Sequence, residues 1–411
     1  MKTIRELYKV GKGPSSSHTM GPERAAKLFL DNHPDADRFT VILYGSLSKT
    51  GVGHGTDRVL RQTLAPHPTE IVFSNETPEG VTHPNTLDLI AYRGDAELGR
   101  SRVESVGGGN IVVDGEPALT SPSVYPENSF AEIAQFCRWR YISLAEYVEL
   151  NEGPEIWDFL KEVWAVMRAS VEEGLKADGI LPGGLNVERK AKRLYEHVSV
   201  SKLPETKELQ LVCSFAYAVA EQNADNGTVV TAPTCGACGV MPAVLYYLQE
   251  KYHYSDDKIA RALAVGGLFG NLVRRNASIS GAECGCQAEI GTATCMAAAA
   301  MCELMGLPIE ETEYAAEVAM EHQLGLTCDP ICGLVQIPCI ERNAVAAMRA
   351  IDACNLAHML IGSRNISFDM VIRTMYETGI NMSHAFRETA EGGLARFYSR
   401  RGTIHKPEGA D

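Results

Sequence analysis

At 411 residues with 45% hydrophobic composition, the chain has enough apolar sequence for a large buried core and about two domains. Its 52 acidic residues outnumber 38 Lys and Arg, a net charge of −14, which argues against a nucleic-acid partner or an anionic membrane surface. No run nears the roughly 18 apolar residues of a membrane span, and the N-terminus lacks the apolar core of a secretory signal. We therefore expect a cytoplasmic protein whose twelve cysteines serve as thiols or metal ligands rather than disulfides.

The first part of the chain mixes helix and strand signals. Residues 22–32 follow a Gly-Pro turn with helical spacing, and residues 39–44 (FTVILY) read as a strand. Further strands are expected at 70–73, 87–92, 103–106 and 110–113, the last between glycine clusters. Residues 118–130 (ALTSPSVYPENSF) read as a loop or linker, and 131–150 as a short strand and helix. We place a domain boundary near residue 150. Beyond it strand signals nearly vanish. Helical spacing predicts helices over 156–176, 205–222, 237–250, 256–273, 288–305, 310–322 and 341–362. Several are Ala-rich on nearly all sides, as a helix inside a larger bundle would be. The expected fold class is α+β: an N-terminal α/β sandwich of residues 1–150, then a larger all-α domain of residues 151–411.

Four stretches carry chemistry. GPSSSHTMGP concentrates hydroxyls and an imidazole at Ser15, Ser16, Ser17, His18 and Thr19. Such a loop could cradle a carboxylate or phosphate, or be only a solvated turn capping the helix at Pro22. GVGHGTD presents His54 on a glycine-flanked turn, with histidine the side chain best suited to proton exchange near neutral pH. It departs from the dinucleotide pattern at Thr56. In APTCGACGVMP, Cys235 and Cys238 form a CxxC that suits zinc, a redox pair or a cluster, without the second CxxC of a zinc ribbon. The fourth stretch, residues 281–343, holds seven of the twelve cysteines: Cys284, Cys286, Cys295, Cys302, Cys328, Cys332 and Cys339. Their spacing fits no zinc-finger or ferredoxin pattern, so ligands would come from separate loops. Cys137, Cys213, Cys302 and Cys354 lie in helix-like apolar contexts and read as buried structural thiols.

Taken together and in this order, GPSSSHTMGP, GHGTD, GAECGCQAEIG, LTCDP and PCIERN resemble the signatures of the iron–sulfur-dependent L-serine dehydratases (L-serine ammonia-lyases). The resemblance covers nearly the whole chain in the arrangement of a β-type domain followed by an α-type domain. It implies a 4Fe–4S cluster held by Cys286, Cys328 and Cys339, with one iron open as a Lewis acid. It also implies a catalytic role for His54 as the base and for the loop of Ser15, Ser16, Ser17, His18 and Thr19. A small amino-acid substrate, a site between the two domains and a homodimer are the accompanying expectations.

Two departures from the family pattern stand out. Family members commonly carry Asn-Gly-Ala-Ala-Gly where this chain has Cys235-Gly-Ala-Cys-Gly, which leaves the substrate open among serine, threonine, cysteine or a hydroxy acid. Gly392-Gly393-Leu394-Ala395 is present, but the cysteine that often follows it in the family is not, so water, another group or an extra thiol is expected on the open iron. A thiolate redox or metal sensor built on Cys235 and Cys238 is the alternative from a different class. A pyridoxal-phosphate dehydratase is disfavoured, because no lysine lies in the four stretches.

Overall fold

Alternation of apolar residues builds the first layer of the computed structural model, which describes residues 1–76, 81, 83–117, 123–200, 203–360 and 362–404. Residues 118–122 of the expected linker lie outside that set. The strands are β1 (Val10–Lys12), β2 (Arg38–Leu43), β3 (Thr69–Phe73), β4 (Thr86–Arg93), β5 (Ala96–Ser105), β6 (Ile111–Val113), β7 (Glu116–Pro117) and β8 (Thr228–Val230). One sheet has the order β3-β2-β4-β5-β6-β7. Phe39, Val41 and Leu43 of β2 sit opposite Ala91, Leu89 and Leu87 of β4, so the period of two puts all six on one face. That face is buried under Ala25, Ala26 and Phe29 of helix Gly21–Asn32 and Leu60 and Leu64 of helix Thr56–Leu64. Each such buried Leu or Phe stabilises the layer by about 1.5–3 kcal/mol. β2 and β3 are parallel, as a crossover through two helices, Gly45–Thr50 and Thr56–Leu64, requires.

The larger part of the chain is helical, as expected, and the molecule is α+β. Helix Thr292–Met305 is buried on nearly every side and packs against helices Asp256–Asn276, Ile309–Glu321, Cys339–Met359 and Val240–Tyr252. Small residues allow that close approach. A Cβ on Gly266 would stand 2.8 Å from the Met296 carbonyl oxygen, and one on Gly270 2.6 Å from its sulfur. None of the described helices is long and apolar enough to cross a membrane.

Three local expectations are corrected. Residues 131–150 form two helices, Phe130–Arg140 and Leu144–Glu152, each opened by a Ser-x-x-Glu capping box at Ser129/Glu132 and Ser143/Glu146. The helical part also contains a strand: β8 pairs antiparallel with β1, so the N-terminal residues anchor in the helical core. Tyr8 joins them there, its hydroxyl donating to the Leu263 carbonyl at 2.8 Å. Finally, residues 16–20 are a π-helical turn leading straight into helix Gly21–Asn32 rather than a loose loop. After β1 the chain therefore leaves the helical core, makes this turn and enters the sheet layer. The turn lies at the seam.

Candidate active site

Ser15 opens the π-helical turn by accepting the His18 N–H on its hydroxyl at 3.1 Å, which aims the His18 ring inward. Thr19 donates to the His54 carbonyl at 2.8 Å, and Thr56 donates to the His18 carbonyl at 2.6 Å. These bonds lock the turn to the residues 51–56 loop, and the two imidazoles stack with centroids 4.2 Å apart. The sequence suggested a flexible turn for His54; instead the ring is fully buried.

Hydrogen bonding assigns the tautomers. His54 Nδ1 faces the Thr50 carbonyl oxygen at 3.0 Å and must donate to it. Its Nε2 is thus a free lone pair, buried without a partner among the described residues. The Ser46 hydroxyl donates to the Glu388 carbonyl at 3.1 Å and so accepts from His18 Nε2 at 2.9 Å. His18 Nδ1 is then also a lone pair, 3.6 Å from Glu388 Oε1. The ligand atoms of His18, His54 and Glu388 all lie within 4.8 Å of one another.

The sulfur side is built from backbone turns. Residues 281–291 form a short helix, Gly281–Cys284, a positive-φ break at Gly285, and a π-helical turn, Gln287–Gly291. Ligand atoms of Cys286, Glu289 and Cys328 lie within 4.8 Å of one another, and the latter two crowd Gly281. A Cβ on Gly281 would stand 2.5 Å from Glu289 Oε2 and 3.1 Å from Cys328 Sγ, so a side chain there would displace the Glu289 carboxylate and press on the Cys328 sulfur. Cys339 opens helix Cys339–Met359 outside that triplet, yet Arg342, one turn on, interacts electrostatically with Cys286, Cys339 and Cys328 alike. Arg342 is itself fixed by the Thr327 carbonyl at 2.6 Å and Asp329 at 3.3 Å. Asn343 ties Cys339 to the Cys235 loop, donating to the Cys339 and Gly236 carbonyls at 2.9 and 2.7 Å.

Electrostatics join the two sides. Burial pushes the His54 imidazole down to about 4, and burial with the neighbouring His54 ring pulls His18 down as well. Both rings are neutral at neutral pH. The Cys328 thiol donating to Cys286 holds the Cys286 sulfur below the ordinary thiol range, aided by Arg342. Burial, then the charge on Cys286, raises the carboxyls of Glu289 and Glu388, the latter to about 8. Glu388, buried, and Glu289, half-buried, lie close to the lowered Cys286 thiol and are therefore poised as proton holders.

The structure thus brings Ser15, His18, Thr19 and His54 together through direct hydrogen bonds, and sets Cys286, Cys328 and Cys339 within electrostatic reach of the Arg342 guanidinium. Ser16 and Ser17 are buried in the same turn. Of the remaining cysteines, Cys235 and Cys238 are buried, with burial raising both thiols. Cys302 pairs with Cys354 at 3.2 Å between two helices, away from the site, and Cys332 is exposed. The sequence reading missed Glu289 and Glu388. Glu388 arrives because its segment pairs with Cys328: the Glu388 N–H donates to the Cys328 carbonyl at 2.7 Å, and the Cys328 N–H to the Phe386 carbonyl at 2.8 Å. Only this long-range pairing, 60 positions apart, reveals it; Glu289, three residues after Cys286, stood in plain view within CQAE.

Comparison with known proteins finds two family models in succession along the chain. A family model described as serine dehydratase beta chain matches residues 3–73, and one described as serine dehydratase alpha chain matches residues 85–395. The chain is 40% identical to L-serine dehydratase 1 of Escherichia coli (strain K12), over 96% of this chain and 99% of that protein. Identity is 39% to the L-serine dehydratase of Streptomyces coelicolor, covering 96% and 98%, and 35% to that of Helicobacter pylori, again covering 96% and 98%.

Proposed function

The chain belongs to the serine dehydratase family, and from that premise we propose an iron–sulfur-dependent L-serine ammonia-lyase that converts L-serine to pyruvate and ammonia. One observation carries the mechanism: a neutral, unpartnered imidazole nitrogen, His54 Nε2, is buried in the cluster it forms with Glu388, whose backbone is bonded to Cys328.

The donor set suits a thiolate cluster. The Cys286, Cys328 and Cys339 sulfurs share the Arg342 cation, which offsets the negative charge that three thiolates bring into a buried site. We assign these three as the residues that would hold a 4Fe–4S cluster, with the Glu289 carboxyl as an oxygen donor beside them. Such a cluster, when bound, supplies a Lewis-acidic iron that turns the β-hydroxyl of serine into a better leaving group.

The chain's own residues do the rest. His54 Nε2 takes the α-proton; its Nδ1–H bond to Thr50 keeps the lone pair on the working nitrogen. As the Cα–H pair becomes the Cα–Cβ double bond, the Cβ–O bond breaks and the hydroxyl leaves as water. Glu388, protonated up to about pH 8, is placed to give the proton that departing oxygen requires. The aminoacrylate then tautomerises and hydrolyses. The hydroxyls of Ser16 and Ser17 supply donors for the substrate carboxylate, while Ser15, His18 and Thr19 hold the base in place. A thiol sensor is a poorer reading, because Cys235 and Cys238 are both buried within the main hydrophobic core, where a redox sensor needs solvent access.

The test is anaerobic reconstitution followed by a panel of L-serine, L-threonine, L-cysteine and hydroxy acids, with keto-acid formation as readout. Fastest turnover is expected with L-serine. A fully loaded cluster without lyase activity on serine would sink the assignment.

A further inference from the structure

A cavity of about 450 Å³ opens at the seam between the sheet layer and the helical core, and its charge is opposite to that of the molecule. Lys2, Arg24, Arg274 and Arg275 line it against one carboxylate, Glu6, in a chain whose net charge is −14. Glu6 is already taken by Arg274 at 3.2 Å. Among the described residues the hydrogen-bond partners of the other arginines are neutral: Arg24 donates to the Gly109 carbonyl at 3.3 Å and Arg275 to the Asn128 side-chain oxygen at 3.4 Å. Lys9 stands just behind, bonded to the amide oxygen of Asn110, a residue of the cavity wall. Burial, then the Arg24 charge, pushes the Lys9 ammonium down to about 7.

The bland explanation covers only part of this. Arg274 and Arg275 end helix Asp256–Asn276, where the backbone carbonyls favour cations. Lys2 and Arg24 come from other elements and have no such reason to converge. Like charges gathered in a partly enclosed space repel one another unless an anion joins them. Asn271, 1% exposed and also lining the cavity, leaves its side-chain oxygen without a donor. The P–OH of a monohydrogen phosphate would satisfy it, and a dicarboxylate would meet the charge alone.

The cavity also backs both halves of the candidate site. Ile279, in its wall, lies two residues before helix Gly281–Cys284. The turn at residues 107–110 forms another wall. A Cβ on Gly107 would meet Ser280 at 3.5 Å, and one on Gly109 would stand 3.9 Å from the Ser16 carbonyl oxygen. We propose that this cavity binds a compact dianion, a phosphate or a dicarboxylate, which clamps the sheet layer onto the helical core behind the catalytic turn and the cysteine loop. The proposal stands apart from the lyase assignment, since it concerns neither the substrate nor the cluster.

Titration calorimetry and thermal midpoints of the full-length protein, at constant ionic strength, test it with inorganic phosphate, succinate and chloride as separate probes. Saturable binding of phosphate or succinate, with a midpoint rise that chloride does not reproduce, is the expected result, and whichever binds identifies the ligand class. Arg24→Gln and Arg275→Gln should each weaken that binding about tenfold or more, as loss of one charge-assisted contact does. Lys2→Gln, at an exposed position, should weaken it without risk to the fold. The proposal is overturned if neither dianion binds, if chloride raises the midpoint equally, or if all three variants bind as tightly as the parent.

Discussion

The two halves of the site are held together in different ways. On the helical side, sulfur positions are set by the backbone: a glycine against Cys328, a positive-φ glycine before Cys286, and a helix start at Cys339. On the sheet side, the histidines are positioned by side chains, through Ser15, Thr19, Ser46, Thr50 and Thr56. A site built by turns survives loss of one side chain as a shape, though it loses the ligand. A site built by hydroxyl bonds loses alignment by degrees. Substitutions in the two halves should therefore fail differently.

The largest effect is expected among the sulfurs. Cys286→Ala, Cys328→Ala or Cys339→Ala should each abolish cluster content and activity together, whereas Cys302→Ala, packed against Cys354 elsewhere, should retain both. Iron and sulfide analysis beside the lyase assay decides it. A Cys302→Ala protein without cluster and a Cys339→Ala protein with one would reverse the ligand assignment.

His54→Ala should separate the halves cleanly. Cluster absorbance should persist while kcat drops about 10²–10⁴-fold, the usual contribution of a positioned base. Full turnover in this variant would remove His54 from the chemistry. The same residue carries a stability effect of defined sign. The folded imidazole resists protonation down to about 4, whereas the unfolded one takes a proton near the ordinary histidine value of 6.5. The unfolded state thus binds more protons in that window, so stability is full above it and is lost as pH falls through it. For His54 the span corresponds to about 3 kcal/mol, and His18, shifted the same way, adds to the trend. Urea midpoints measured across that range should fall less steeply in His54→Gln than in the parent.

The same contrast explains what the sequence made legible. Turn-forming residues around Cys286, Cys328 and Cys339 can be read locally, because Gly and Pro announce where a chain bends. So can the strands at Phe39, Val41 and Leu43, whose alternation faces one core. Glu388 could not be read that way. Its place depends on backbone pairing with Cys328 across 60 positions, and no local period or motif encodes that. The β1–β8 ladder was hidden for the same reason: three-residue strands from distant parts of the chain hold too few residues to show alternation. Helices Phe130–Arg140 and Leu144–Glu152 were legible and went unread, since both Ser-x-x-Glu boxes are plain in the sequence.

The smallest effect should come from Ser15, and it probes the hydroxyl-built half most finely. Its side chain accepts the His18 N–H and lies 3.4 Å from His18 Nδ1, touching neither sulfur nor His54. Ser15→Ala removes a cap worth about 1 kcal/mol and leaves the buried N–H of His18 without its acceptor. The turn should loosen rather than unfold, because Thr19 and Thr56 still bind the His54 and His18 carbonyls. Cluster content should be unchanged, the urea midpoint slightly lower, and kcat reduced by less than in His54→Ala. Ser15→Asp restores an acceptor at the cap, so it should recover the midpoint. Its added charge beside His18 should still depress kcat. If Ser15→Ala instead stripped the cluster, the two halves would not be independently built, and the contrast between them would fail.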